Sequence, residues 1–184
     1  VWITSPNNPT GKVFTRDELQ QIAGLCQRWD VLAISDEIYE RIVFNGHSHV
    51  PIASLPGMAD RTVTTSGLSK TYSVTGWRIG WAISPAALTG GIRKIHDFLT
   101  VAAPTPFHDA GVAALSMPDT FYAQLVADYQ SKRNLMVDIL QRHGFESFQP
   151  GGAYYVMADV SPFGFKSDSE FAQYLVKDVG VATV

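Results

Sequence analysis

The chain has 184 residues and a formal charge of −3, with 46% hydrophobic and 17% charged residues. That length can bury one sizeable core, and that balance marks a soluble globular protein and excludes a disordered one. No apolar run approaches the roughly 20 residues of a membrane span, no basic cluster offers a footprint for nucleic acid, and the single Cys26 excludes an internal disulfide framework, which fits a reducing, cytoplasmic setting.

The sequence starts at Val1 with no charged leader and no cleavage pattern, so no signal peptide is expected. Residues 1–4 read as a short strand running into the turn cluster Ser5-Pro6-Asn7-Asn8-Pro9-Thr10-Gly11. Thr15 stands three residues before Glu18, the spacing of a capping box. Leu19, Ile22, Ala23, Cys26 and Trp29 then recur at helical spacing, which predicts a helix over about 16–29 with Cys26 as a buried, inert thiol. The apolar run 31–34 predicts a strand covered on both faces of a parallel sheet. Asp36 would lie at its carboxyl end, where open α/β sheets hold their ligands. Residues 41–61 read as loop-rich surface, and His47 and His49 within it are expected to be solvated, with no third metal ligand nearby.

Residues 62–65 and 79–84 predict two more strands. Helices are expected from after Pro85 to about 100 and from near Pro106 to Leu115. The longest periodic segment, 119–143, carries Tyr122, Leu125, Val126, Tyr129, Met136 and Leu140 on one stripe, with Gly144 as a stop. Residues 153–158 read as a strand, 169–178 as a short helix and 181–184 as a final strand.

Three stretches carry chemistry. In Thr65-Ser66-Gly67-Leu68-Ser69-Lys70-Thr71-Tyr72-Ser73-Val74-Thr75-Gly76-Trp77-Arg78 a lysine sits among small and hydroxyl residues, eight positions before an arginine. A lysine in surroundings apolar enough to lower its pKa becomes a nucleophilic amine, and an arginine grips phosphate with two parallel hydrogen bonds. Alone, either residue reads as a solvated surface cation. Together they meet two requirements of pyridoxal phosphate chemistry. Ile34-Ser35-Asp36-Glu37-Ile38-Tyr39 adds a carboxylate and a phenol, and the turn cluster adds Asn8.

In this order the three stretches resemble the large-domain core of the fold-type I aminotransferases of class I/II, in the branch containing aspartate and kynurenine or glutamine transaminases. The resemblance implies an α/β fold in which 1–117 form part of a large, mostly parallel-sheet domain with flanking helices. Residues 118–143 would form a long interdomain helix, and 144–184 the start of a small α+β C-terminal domain, in a chain of about 400 residues. It also implies pyridoxal 5'-phosphate as cofactor, held by a Lys70 Schiff base, with Lys70 as general base and acid at the substrate Cα. Asp36 would pair with the pyridine nitrogen, Tyr39 and Asn8 would donate to the phenolic oxygen, and Arg78 would bind the phosphate. Many relatives have serine three residues before the lysine where this chain has Gly67, whose backbone N–H, or the hydroxyls of Ser66 or Ser69, would have to serve instead. Trp77 and Trp81 read as packing, and no metal is expected.

The implied function is transfer of an amino group between an amino acid and a 2-oxo acid by a homodimer, with no nucleic acid or membrane partner. A carbon-sulfur lyase, another enzyme of the same fold type, or a cofactor-sensing domain of a transcription regulator would keep the same cofactor residues. The family's glycine-rich phosphate cradle and substrate-carboxylate arginine have no counterpart among these residues. The 184 residues alone are therefore expected to bind cofactor weakly and to show no turnover.

Overall fold

A computed structural model describes residues 1–183. Four strands, β1 (Trp2–Thr4), β2 (Ala33–Asp36), β3 (Thr62–Gly67) and β4 (Gly80–Ile83), form one sheet in that order, the first three parallel and β4 antiparallel to β3. Thr4 pairs with Asp36 and Asp36 with Thr65, so the carboxyl ends of the parallel strands lie level and face one side.

The helix α1 (Arg16–Arg28) starts at the expected capping box, with Glu18 N–H donating to Thr15 Oγ1 (3.3 Å) and Thr15 N–H to Glu18 Oε2 (2.8 Å). Lys12 Nζ, 2.6 Å from Glu18 Oε1, is the main reason the Glu18 carboxyl is lowered to about 2. The helix ends one residue before the predicted end, and Trp29 is 68% exposed. Val31 N–H then donates to Cys26 O (2.9 Å) past Asp30 in the left-handed region (φ 49°). Val31 and Leu32 are spent on leaving the helix and stay exposed, so β2 begins at Ala33 and Asp36 becomes its last residue.

Ile3, Leu19, Ala23, Cys26, Ala33, Ile52, Leu55 and Met58 form a core joining β1, α1 and β2 to the segment after β2. Residues 41–61 are irregular and in good part exposed, as expected, but they also carry core residues. Ile42, Phe44, Ile52, Leu55 and Met58 are buried, and the last three recur every third residue through 3₁₀ turns at Ile52–Ser54 and Ala59–Arg61.

Beyond β4 come α2 (Ala86–Leu99), α3 (Thr105–Leu115) and α4 (Asp119–Arg142), close to the predicted helices. The first half of the α4 stripe behaves as its periodicity suggests, with Leu125, Val126 and Tyr129 packing on a second cluster of Tyr39, Ile42, Phe44 and Ala153. Further along, Arg133 and Val137 turn inward and Met136 is 50% exposed. A helical step of four from Tyr129 leads to Arg133, not to Met136.

A separate antiparallel pair joins β5 (Glu146–Ser147) to β6 (Ala158–Asp159). The strand predicted over 153–158 thus contributes only its last residue. The final helix α5 (Asp168–Tyr174) runs on as a π-helical turn over Leu175–Val179. Residues 181–183 form no strand, and Val184, the end of the strand expected there, lies outside the described residues. No helix among the described residues is long and apolar enough to cross a membrane.

Candidate active site

Past β3 the chain makes one helical turn, with Tyr72 N–H donating to Leu68 O (3.1 Å) and Leu68 N–H to Ile79 O (3.1 Å). Leu68 is fully buried and pins this turn, which presents Lys70, half-buried, at the carboxyl end of the sheet. Gly67 has a local reason: a Cβ there would come 2.7 Å from Ile79 O, so the close approach of β3 to β4 leaves no room for a side chain. A 3₁₀ turn at Thr75–Trp77 follows, fixed by the Trp77 ring stacked on Phe107 at 4.8 Å. Arg78 then takes a left-handed conformation (φ 56°), a strain of about 1 kcal/mol for a residue with a side chain. Its Nη1 donates to Thr75 O (3.1 Å), and the rest of the guanidinium, in an exposed position, has no other partner among the described residues.

Asp36, Lys70 and Arg78 line one cleft of about 390 Å³, together with Ile38, Thr65 and Ser69. One oxygen of Asp36 is turned back to accept Ile38 N–H (3.3 Å). The Ser66 hydroxyl donates to Glu37 O (3.4 Å), while Ser69 borders the cleft. Tyr39 and Asn8 do not line this cleft. They meet on the other side of Lys70, where Tyr39 Oη (3.2 Å) and Asn8 Nδ2 (3.5 Å) both donate to the hydroxyl of Tyr155.

Tyr154 and Tyr155 are the residues that sequence reasoning missed. Ala153 sits in the left-handed region (φ 59°) and is fully buried, and Gly152 before it is wedged where a Cβ would lie 2.8 Å from Pro6. A regular strand would send successive side chains to opposite faces. The kink instead brings both rings onto Tyr39, at 5.1 Å for Tyr154 and 6.1 Å for Tyr155, each edge-on. The Lys70 Nζ lies over this tyrosine wall, 5.7 Å from the Tyr154 centroid and 6.0 Å from that of Tyr39. Lys70, Tyr154 and Tyr155 also border a larger, mainly apolar cavity of about 960 Å³ that runs from Lys70 along α4 to Phe171.

The wall and the lysine influence each other's titration in opposite directions. Apolar surroundings would lower the Lys70 pKa, yet it is raised, chiefly by hydrogen bonding to Tyr154; burial and Arg78 work in the opposite direction. Tyr154 shows the reciprocal effect: burial pushes its phenol up, but Lys70 and Tyr39 bring it below the ordinary value. Tyr39 is raised, first by burial and then by its bond to Tyr155, so its hydroxyl remains a donor.

Behind Asp36, the histidine expectation fails. The His49 side chain is 9% exposed, with Nε2 2.8 Å from Glu37 Oε2, and Ser35 Oγ donates to the other Glu37 oxygen (2.8 Å). Glu40 completes a group whose ligand atoms lie within 4.8 Å of one another. A buried acid needs such a partner, and Glu37 supplies a site for His49 that neighbouring residues in sequence do not reveal. His47 is exposed as expected.

Arg133 holds the tyrosine loop in place. It is 5% exposed and reaches no carboxylate among the described residues; Nη1 donates to Pro150 O (2.9 Å), Nη2 to Asn45 Oδ1 (2.9 Å), and Nε and Nη2 to Asn134 Oδ1. Phe44 N–H to Gly151 O (2.8 Å), Gly152 N–H to Gly11 O (2.9 Å) and Ala153 N–H to Ile42 O (2.9 Å) clamp the loop on its other sides. The sequence signal was an arginine interrupting an apolar helical stripe.

The description "aminotransferase class I and II" matches residues 1–184. Kynurenine–oxoglutarate transaminase 3 of Rattus norvegicus is 39% identical over 95% of this chain and 41% of its own length. Kynurenine–oxoglutarate transaminase 1 of Homo sapiens is 34% identical over 99% of this chain and 47% of its own. Among solved structures, the N-succinyldiaminopimelate aminotransferase of Mycobacterium tuberculosis superposes with a TM-score of 0.96 at 37% identity, covering 100% of this chain and 48% of that one. The aromatic aminotransferase of Pyrococcus horikoshii gives 0.92 at 32% identity, covering 100% and 49%. The chain thus spans about half the length of the relatives it matches, and over that span its sequence and its α/β fold agree with theirs. The chain belongs to the class I and II aminotransferase family.

Proposed function

We propose that the full-length protein is a pyridoxal-phosphate-dependent aminotransferase that moves an amino group between an amino acid and a 2-oxo acid, working as a cytoplasmic homodimer. What supports this reading is the donor set of the cleft: an amine, a carboxylate and a guanidinium around a space of about 390 Å³, within the range of small-ligand sites. Those three groups match an aldehyde, a ring nitrogen and a phosphate, so the residues fit the cofactor. When bound, pyridoxal phosphate supplies a carbonyl carbon that takes the amino group and a ring that accepts the electrons of the substrate's Cα–H bond.

The chain's own residues do the rest. Lys70 Nζ would hold the cofactor at its carbonyl carbon and, when released, would be the base that takes the proton from the substrate's Cα. Asp36 stabilises a proton on the ring nitrogen by charge, and its second oxygen stays available while the first accepts Ile38 N–H. Arg78 retains enough unused N–H donors to hold a phosphate in two-point fashion. Tyr39 and Asn8 already converge as donors on one oxygen, that of Tyr155, and would share a phenolate oxygen in the same way. In this reading 1–117 carry the cofactor site, and 118–143 and 144–184 begin the small domain.

Assaying the purified full-length protein, with cofactor, against a panel of amino acids and 2-oxoglutarate tests the proposal. Glutamate formation matched by loss of the donor is the expected result. Ammonia and pyruvate from sulfur amino acids, without glutamate, would instead identify a carbon-sulfur lyase. Asp36→Asn, nearly isosteric, is expected to lower the single-turnover rate at saturating cofactor by about 10²-fold or more while leaving thermal unfolding unchanged. A normal rate would remove Asp36 from the mechanism.

A further inference from the structure

Between Lys70 and Arg78 the backbone enters the left-handed region twice, at Ser73 and at Arg78 itself (φ 56° at each). Residues with a side chain hold that conformation only where their neighbours enforce it. Ser73 ends the helical turn that presents Lys70: Tyr72 N–H still donates to Leu68 O, but among the described residues no backbone N–H reaches Ser69 O, the carbonyl just before the lysine. The Thr75 hydroxyl donates to Ser69 O instead, at 3.0 Å. The main-chain oxygen of the same residue accepts Arg78 Nη1 at 3.1 Å and Arg78 N–H at 3.4 Å. Ser69, Lys70, Thr75 and Arg78 all line the cleft, so both links run along its wall.

With Arg78 read as the phosphate-binding group of the proposed function, we propose that Thr75 is a positioning residue for that grip: its hydroxyl ties the turn before Arg78 to the turn that carries Lys70, its carbonyl holds the guanidinium, and one residue thereby sets the spacing between amine and guanidinium. Among the described residues Thr75 supplies the only side chain hydrogen-bonded to the backbone of 68–72. The stack of Trp77 on Phe107 fixes the same turn to α3 and gives it no link to the lysine. An aldehyde and a phosphate on one small, stiff molecule lie a set distance apart, so gripping both at once is strongest when the two grips are already held at that distance. Without the hydroxyl, Ser69 O turns to water, the turn over Thr75–Trp77 is joined to Lys70 by main chain alone through the left-handed Ser73, and Arg78 loses its fixed place.

Pyridoxal phosphate and pyridoxal share the aldehyde and the ring and differ only in the phosphate. The ratio of their dissociation constants, measured by equilibrium dialysis on the cofactor-free full-length protein, therefore reads the phosphate grip and not turnover. Thr75→Val keeps the branched shape and removes only the hydroxyl, at an exposed position where no core is emptied. It is expected to lower the preference for pyridoxal phosphate over pyridoxal by about threefold to tenfold, the worth of one hydrogen bond, with pyridoxal affinity and melting temperature unchanged. Thr75→Ser, which restores the hydroxyl, should keep the wild-type ratio. In an Arg78→Ala background Thr75→Val should change the ratio no further, because the two residues act through one contact. An unchanged ratio in Thr75→Val, an equal loss in Thr75→Ser, or a further loss in the Arg78→Ala background overturns the proposal. Should Thr75→Val fail to fold, Thr75→Ala removes the same hydroxyl and is held to the same outcomes. A preference lost in Arg78→Ala but kept in Thr75→Val overturns the role of Thr75 alone, whereas a preference that survives Arg78→Ala overturns it together with the phosphate role of Arg78.

Discussion

Lys70→Ala in the full-length protein is expected to lower turnover by about 10³-fold or more, with the folded yield and melting temperature nearly unchanged. The size follows from two losses at one atom. Without Nζ there is no amine to attack a carbonyl, and no base beside the substrate Cα to take its proton. Stability should not suffer, since Lys70 is half-buried, forms no ion pair among the described residues and rests on a tyrosine wall that packs without it. Arg78 and Asp36 remain, so cofactor should still bind, but reversibly and by contacts alone. Steady-state kinetics beside a thermal melt check this; turnover within about tenfold of wild type would mean that another group does the chemistry.

The second large effect is expected at Arg133, far from the lysine in sequence. Arg133→Met should destabilise the fold by about 2 kcal/mol, because Pro150 O loses its charged donor while remaining buried, and the link to the exposed Asn45 is lost with it. The cost stays below that of a broken buried ion pair, since Arg133 has no anionic partner among the described residues and borders a cavity that water can enter. Burial already lowers the pKa of its guanidinium, which agrees with a cation held by neutral acceptors. Activity should fall together with stability, since the loop that Arg133 holds carries Tyr154 and Tyr155 to Lys70. A melting temperature within about 2 °C of wild type would show that the loop is held by its backbone bonds alone.

Those two residues also mark how far the sequence could be read. Lys70, Asp36 and Arg78 stood out because each lies in a short local pattern: Asp36 ends β2, Lys70 follows the carboxyl end of β3, and Arg78 precedes β4, whose antiparallel direction puts its amino end on the same side of the sheet. Tyr154 and Tyr155 were not, because an apolar aromatic run reads as a strand, and the left-handed turn at Ala153 leaves no mark in hydrophobic periodicity. Arg133 was hidden by its type: a cation on an apolar stripe is read as solvated unless its acceptors, Pro150 and Asn45, are known to converge on it. His49 failed for the same reason, its partner Glu37 lying across a turn. The shift of β2 has another origin, since apolar residues 31 and 32 satisfied the strand pattern while Cys26 O, in the last turn of α1, takes the N–H of Val31.

The central claim, that Lys70 carries the cofactor, is tested most directly by borohydride reduction of the cofactor-loaded full-length protein followed by peptide mapping. Reduction turns a reversible carbon–nitrogen link into a permanent secondary amine at whichever lysine holds it. The account predicts a single pyridoxyl-labelled residue, Lys70. Label on Lys12, Lys94 or Lys132 with Lys70 unmodified would contradict it.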